Sequence, residues 1–174
     1  VIATCGSNEK VDFVKSLGAD HVINYREKNY WEEAHKILGK EKLRASFNPI
    51  AGSTFKKDMK MIEPSGSLVL FGGSERSGKK WGILSTLNFV RKMGLVIPIG
   101  LMMKSRSIVG VNMLQIGDHK PLLLKKSLDE ITKIYKAGKI KVHIGGDFKA
   151  HEIGKAHELL ESRKSMGKVV VSWE

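Results

Sequence analysis

Short runs rich in β-branched residues alternate with amphipathic stretches of helical length along all 174 residues. This pattern predicts strands over residues 1–5, 21–25, 43–47, 67–71, 107–114, 141–144 and 168–172. It predicts helices over residues 8–18, 29–39, 53–64, 83–93, 122–138 and 150–163. Parallel strands need crossover connections, which are usually helices. The alternation therefore predicts an α/β fold with a doubly wound parallel sheet, and we expect one domain over residues 1–174.

Composition narrows the class of protein. The chain carries 30 Lys and Arg against 18 Asp and Glu, a net charge of +12, which favours an anionic partner without naming one. No run approaches the roughly 18 apolar residues of a membrane span, so none is expected. Residues 1–4 lack the basic leader of a signal peptide. The single cysteine, Cys5, excludes an internal disulfide framework and a cysteine-based zinc site.

In a doubly wound sheet, ligands bind where strands end at their carboxyl edge. Gly6 and Ser7 follow the first strand, and Lys10 lies in the first turn of the next helix. A site that selects NAD places an acid near this tip to hold the ribose 2′-hydroxyl. The tip here has a hydroxyl and an ammonium instead, which suits the 2′-phosphate of NADP. The alternative is an ordinary helix cap beside a solvated lysine.

Other strand tips offer further candidates. Tyr25 ends the second strand and could contact a cofactor, although an aromatic residue there is often a packing residue. Asn48 follows the third strand in a turn that could present its side chain or backbone to a ligand, or be an ordinary turn. Gly72 and Gly73 follow the most apolar strand and allow close approach of a backbone. The polar loop over 74–80 lacks the ending of a Walker phosphate loop.

Several catalytic patterns are missing from the sequence. There is no GxGxxG fingerprint, no HExxH motif and no arrangement typical of a Ser-His-Asp triad. Cys5 reads as a buried strand residue rather than a nucleophile. The basic residues are scattered and are not interleaved with aromatic residues, so nucleic acid is an improbable partner. We therefore expect no catalytic side chain and no metal ligand in this chain.

Taken together, six segments resemble a known family. The segments are residues 6–10, 17–26, 47–52, 66–73, 110–112 and 156–171. In this order they resemble the cofactor-binding domain of the medium-chain dehydrogenase/reductase superfamily. The resemblance is greatest to the zinc-independent quinone oxidoreductases and enone reductases, including the VAT-1-like branch.

The resemblance implies roles for individual residues. Lys10 matches the lysine that pairs with the NADP 2′-phosphate, with Gly6 and Ser7 beside it, and Tyr25 matches a tyrosine at the same end of the cofactor. Gly72 and Gly73 would pass under the nicotinamide ribose, and Asn112 would lie near the nicotinamide. Asn48 is placed less firmly, since relatives vary between Asp and Asn there.

The resemblance also has a departure. The family's first strand, its glycine-rich turn and its catalytic domain precede the point that matches Val1. We therefore expect an N-terminally truncated Rossmann-like domain with the catalytic domain absent, inactive by itself. Its parent enzyme would be a cytoplasmic NADPH-dependent reductase that passes hydride directly to a small quinone or enone. A homodimer through strand 107–114 is expected. The alternative is a non-catalytic basic module that binds RNA or an anionic surface, and a third possibility is an inert fragment.

Overall fold

The computed structural model describes residues 1–75 and 82–173 of the chain. Its strands are β1 Ile2–Cys5, β2 His21–Asn24, β3 Leu43–Asn48, β4 Ile62–Leu70, β5 Ser107–Gly110, β6 Ile144–Lys149 and β7 Lys168–Ser172. Its α-helices are α1 Asn8–Ser16, α2 Tyr30–Leu38, α3 Phe55–Met61, α4 Gly82–Met93, α5 Pro98–Met103, α6 Met113–His119, α7 Pro121–Lys136 and α8 Ile153–Glu161. The strand pairings between these elements are parallel. The predicted α/β class with parallel strands is therefore confirmed.

The described chain forms two compact units. The first unit combines Val1–Lys28 with the chain from Pro121 onward, and the second is Asn29–Lys120. In the first unit β1 pairs with β2, and β6 pairs with β7. The β1–β2 register sets Cys5 opposite Asn24, so both strands end at the same edge. Residues that follow these two strands are therefore neighbours.

The second unit is built on a three-stranded sheet in the order β3-β4-β5. Its core consists of Phe55, Ile62 and Leu68, and Ile62 and Leu68 are 0% exposed. Burial of such a side chain stabilises a fold by about 1.5–3 kcal/mol. The register places Asn48 opposite Leu70 and Leu70 opposite Gly110. The loops after β3, β4 and β5 therefore leave the sheet at one edge.

The predicted helix over 53–64 is too long at its C-terminal end. A 3-10 turn covers Gly52–Thr54, α3 ends at Met61, and Ile62 already belongs to β4. Pro64 explains the difference, because proline lacks an N–H and biases the preceding residue toward extended conformations. The predicted strand 67–71 is accordingly the second half of a longer strand.

Three other elements differ from the sequence prediction. The predicted strand 107–114 stops at Gly110, because Asn112 caps α6 by accepting hydrogen bonds from the N–H groups of Leu114 (3.1 Å) and Gln115 (3.3 Å). The predicted strand 141–144 lies later, over β6, which includes the Gly145–Gly146 pair. Helix α5 was not predicted, although it begins with a proline at its first position. Residues 76–80 of the predicted loop lie outside the described residues.

One described segment of 19 residues, Ser85–Met103, is long and apolar enough to be considered as a membrane span, with a mean hydropathy of 1.2 over its most apolar stretch. No such segment was expected from the sequence. In the structure the segment is divided between α4 and α5, which have 12 and 6 residues. Gly94, with a φ of 74°, and Pro98 separate the two helices. Length and composition alone therefore make this segment a weak candidate.

Candidate functional site

The first candidate site lies at the carboxyl end of β1. Ser7 is the N-cap of α1 in an extended conformation, so the cap is one residue earlier than the predicted Asn8. In the part of the chain that the structure describes, the Ser7 side chain makes no capping hydrogen bond. The first amide groups of a helix attract anions. The tip of β1 therefore combines a hydroxyl with the positive end of a helix.

Two side chains from the end of β2 lie over Gly6. A Cβ atom built on Gly6 would be 2.7 Å from the Tyr25 hydroxyl oxygen and 3.6 Å from Nε of Arg26. The Tyr25 N–H donates to the Cys5 carbonyl at 3.0 Å, which fixes the two strand ends together. The structure thus brings the predicted Gly6 and Tyr25 into contact. The structure also places Arg26 beside Gly6. Arg26 directly follows Tyr25 in the sequence, and this position is the signal that could have assigned it to the site.

Asn24 holds this strand end in place. It is 6% exposed, it accepts a hydrogen bond from the Arg26 N–H at 3.1 Å, and its amide donates to Asn8 Oδ1 at 2.9 Å. The bonds tie the residues after β2 to the first residue of α1. Partly buried hydrogen bonds therefore hold the backbone of Arg26 next to the start of α1.

Lys10, in the first turn of α1, is half-buried. Its ammonium donates to the carbonyl oxygen of Arg163 at 2.6 Å. Arg163 follows α8 with a φ of 58°, in the left-handed region that non-glycine residues seldom occupy. The loop after α8 therefore lies beside Lys10. No local sequence pattern could have assigned this loop to the site, because 153 positions separate the two residues.

The second candidate site is a cleft of about 540 Å³ in the second unit. The loops after β4 and β5 line it, and three predicted site residues, Gly72, Gly73 and Asn112, are among its walls. The remaining lining residues are Leu70, Phe71, Gly110, Val111, Met113 and Leu114. Backbone and apolar side chains thus form a concave surface at the carboxyl edge of this sheet, where α/β folds bind ligands.

Asn48 lies at the same edge but faces the interior, with 3% of its surface exposed. Its Nδ2 group donates to Thr54 Oγ1 at 2.8 Å and to Asp58 Oδ2 at 2.6 Å. Its Oδ1 atom accepts from the N–H groups of Ile50 and Ala51, both at 2.8 Å. An asparagine amide has two donor hydrogens and about two acceptor positions. This side chain is therefore saturated within the protein, unlike the ligand-facing side chain that the sequence suggested.

Two carboxyl groups near this edge have shifted pKa values. Burial raises the pKa of Asp58, although hydrogen bonds from Ser46, Asn48 and Tyr30 oppose the shift. Burial also acts to raise the pKa of Glu75, but hydrogen bonds from Lys92 and from the Ser53 N–H outweigh it and lower this pKa to about 2. Glu75 is therefore an anion at neutral pH and connects the loop after β4 to the start of the α3 region.

The chain is similar over most of its length to a known protein family. The model of the family described as "Zinc-binding dehydrogenase" matches residues 17–171. The chain belongs to the zinc-binding dehydrogenase family. This result confirms the resemblance to the medium-chain dehydrogenase/reductase superfamily, and the relatives include quinone oxidoreductases and VAT-1 homologues, as predicted.

The relatives are distant but cover nearly all of this chain. The synaptic vesicle membrane protein VAT-1 homolog of Danio rerio is 25% identical over 169 residues, 97% of this chain and 34% of the relative. Quinone oxidoreductase 1 of Escherichia coli (strain K12) is 28% identical over 170 residues, 96% of this chain and 47% of the relative. The chain thus spans about a third to a half of the length of these relatives.

Solved structures agree with the fold. The crystal structure of Escherichia coli quinone oxidoreductase complexed with NADPH has a TM-score of 0.70 and is 25% identical, covering 98% of this chain and 48% of that chain. The predicted Rossmann-like fold class is confirmed.

The family is described as zinc-binding, so the described residues can be compared with the requirements of a zinc site. Within residues 1–75 and 82–173, no three His, Cys, Asp or Glu side chains are grouped so that they could hold a metal ion. The described residues do not fit a zinc site.

Proposed function

We propose that residues 1–174 form the NADP-binding part of a zinc-independent oxidoreductase that reduces quinones or activated alkenes. The observation that carries this proposal is the group of side chains at the end of β1. Gly6 lies under the Tyr25 hydroxyl and beside Arg26, Ser7 occupies the N-cap position of α1, and Lys10 is in the first turn. Family membership and the relatives named as quinone oxidoreductases support the reaction class.

The chemistry of these groups favours a phosphorylated ribose. A phosphate group near Gly6 would meet the positive end of α1 and up to two cationic side chains, Lys10 and Arg26. Ser7 and Tyr25 would donate hydroxyl hydrogen bonds to its oxygens. Charge-assisted bonds of this type are the stronger class of hydrogen bond. In this proposal Lys10 exchanges the Arg163 carbonyl for the phosphate, and Arg26 joins the predicted contacts.

Within the second unit, the cleft after β4 and β5 is the proposed place for a nicotinamide ribose. The backbone of Gly72 and Gly73 would pass beside the nicotinamide ribose along the cleft, and the loop of Asn112 would lie near the nicotinamide ring. Asn48 would contribute through the backbone of the turn that it holds rather than through its amide. When bound, NADPH supplies a hydride from its nicotinamide to an electron-poor carbon. This chain's own residues bind and orient the cofactor, and we propose no catalytic side chain among them.

We also propose that the parent protein is a homodimer that pairs through the edge strand β5. The support is the sheet order β3-β4-β5, which leaves one side of β5 without a partner strand among the described residues. Sedimentation velocity on the chain tests this pairing. A monomeric sedimentation coefficient at micromolar concentration would contradict it.

The 2′-phosphate assignment is tested by the Lys10→Ala variant. Loss of one cationic contact to a phosphate should weaken NADPH binding by about tenfold, while NADH binding changes by less than about twofold. Lys15→Ala is the matched control, since Lys15 lies in the last turn of the same helix and is exposed. The measurement is the dissociation constant of each cofactor, read from nicotinamide fluorescence. Equal weakening of NADPH and NADH by Lys10→Ala would refute the assignment.

A further inference from the structure

Asp58, on α3, is a buried acid that the proposed function does not use directly. It is 6% exposed. Its carboxylate accepts hydrogen bonds from Tyr30 Oη at 3.1 Å, Ser46 Oγ at 3.0 Å and Asn48 Nδ2 at 2.6 Å. A buried carboxylate is costly unless it is hydrogen-bonded. Donors from two elements of the second unit, one from α2 and two from β3, therefore converge on this one group.

Asn48 connects Asp58 to the turn after β3. One Nδ2 hydrogen points at Asp58, and Oδ1 accepts the N–H groups of Ile50 and Ala51. Ala51 has a φ of 56°, which is unfavourable for alanine. A strained residue persists only where its surroundings fix it. The hydrogen bonds of Asn48 therefore hold the turn in a conformation that it would not adopt alone.

The turn after β3 also fixes the position of Gly72 and Gly73, which line the cleft. The Asn48 carbonyl accepts from the Phe71 N–H at 3.3 Å, and the Pro49 carbonyl accepts from the Ser74 N–H at 3.1 Å. A Cβ atom on Gly72 would lie 2.7 Å from the Pro49 carbonyl oxygen. The residues on both sides of Gly72 and Gly73 are therefore bonded to the turn, and a shift of the turn would displace the wall of the cleft.

We propose that Asp58 is a positioning residue for the nicotinamide half of the cofactor, acting through Asn48 and the turn on Gly72 and Gly73. This inference rests on the proposed NADP-binding function. The hydrogen bonds from Asp58 lie within the second unit. The residues proposed for the 2′-phosphate, Gly6, Ser7 and Lys10, belong to the first unit and are not part of these bonds.

The test compares two ligands. NADPH has both halves, whereas adenosine 2′,5′-bisphosphate has only the phosphorylated adenosine end. Asp58→Ala removes the acceptor for Asn48 and should weaken NADPH by about five- to tenfold, with the bisphosphate unchanged within about twofold. Asp58→Asn keeps an oxygen that can accept from Asn48 and should restore NADPH affinity to within about threefold of wild type. A role in general stability would not separate the ligands in this way.

Two more variants complete the design. Ser46→Ala removes another donor to Asp58 but leaves the Asn48 bond, so both affinities should stay within about twofold of wild type. Asn48→Ala keeps Asp58 but breaks the connection, so it should reproduce the pattern of Asp58→Ala. It provides the same test if circular dichroism shows that Asp58→Ala does not fold.

The outcomes distinguish this inference from the proposed function. Equal weakening of both ligands by Asp58→Ala and Asn48→Ala, or no weakening of either, would overturn the positioning role and leave the 2′-phosphate site intact. A wild-type chain that binds the bisphosphate as tightly as NADPH would likewise overturn it. A wild-type chain that binds neither ligand would contradict the proposed function and, with it, this inference.

Discussion

Asn48 shows how one residue type at one position supports two different interpretations. At a strand end, an asparagine is suited to contact a ligand, and the sequence contains no sign of what lies beneath it. The structure places Asp58 2.6 Å from its amide nitrogen. Since Asp58 lies on α3, ten positions further along the chain, the pairing depends on how α3 packs against β3. Such a contact follows from tertiary structure and is not visible in a local pattern.

Asn48→Asp tests this geometry. The new carboxylate would face Asp58 at hydrogen-bond distance, and two carboxylates this close cannot both ionise. We expect a loss of about 2–3 kcal/mol in the free energy of unfolding at pH 7. The pair would bind a proton more tightly when folded than when unfolded. The loss should therefore shrink as pH falls from the raised folded pKa toward about 4, the unfolded value.

Urea denaturation at pH 7 and pH 4.5 measures the change. Asn112→Asp is the matched control, because Asn112 is an exposed helix cap and aspartate caps helices equally well. A destabilisation of the Asn48→Asp variant that does not vary with pH would contradict a shared proton between residues 48 and 58.

At the scale of elements, the alternation of strands and helices was predicted well where tertiary structure agrees with local preference. Helix α2 has the predicted cap at Asn29, whose side chain accepts from the Trp31 N–H, and it stops at Gly39 with a φ of 59°. The prediction failed where a polar or glycine residue interrupts an apolar run. Asn112 ends the extended run after β5 by starting α6. The glycine pair Gly145 and Gly146 made β6 unrecognisable from the sequence pattern. The signals that decide these boundaries are single side-chain contacts.

The loop after β4 offers a test at this scale. In the Gly72→Ala variant, the new methyl group would meet the Pro49 carbonyl oxygen, which belongs to the backbone and cannot swing away. We expect a loss of about 1–3 kcal/mol in the free energy of unfolding, since the loop and the turn must separate. Gly73→Ala is the matched control. Its methyl group would make an ordinary contact with the Phe89 ring at 3.6 Å, so a change within about 0.5 kcal/mol is expected.

Chemical denaturation of both variants gives the two free energies. If Gly73→Ala were as destabilising as Gly72→Ala, the close approach between the loop and the turn would not be the cause. A loss in both variants would instead indicate a general cost of replacing glycine in this loop.

At the scale of the whole molecule, family membership and fold followed from the order of many weakly specific segments. The family match over residues 17–171 and the TM-score of 0.70 to a quinone oxidoreductase agree with that order. The site was only partly predictable. Residues at strand ends, such as Gly6 and Tyr25, follow from topology, because parallel strands end at a common edge. Arg163 comes from the opposite end of the chain, so its place beside Lys10 depends on the folded structure.

The proposed function depends on whether the ends of β1 and β2 hold the 2′-phosphate of NADP. The most direct measurement is an NMR titration of the isotope-labelled chain with adenosine 2′,5′-bisphosphate, with 5′-AMP as the ligand that lacks the 2′-phosphate. We predict that the bisphosphate shifts the amide signals of Gly6, Ser7, Lys10, Tyr25 and Arg26 at concentrations where 5′-AMP does not. Shifts confined to other residues, or equal shifts with both ligands, would contradict the proposed 2′-phosphate site.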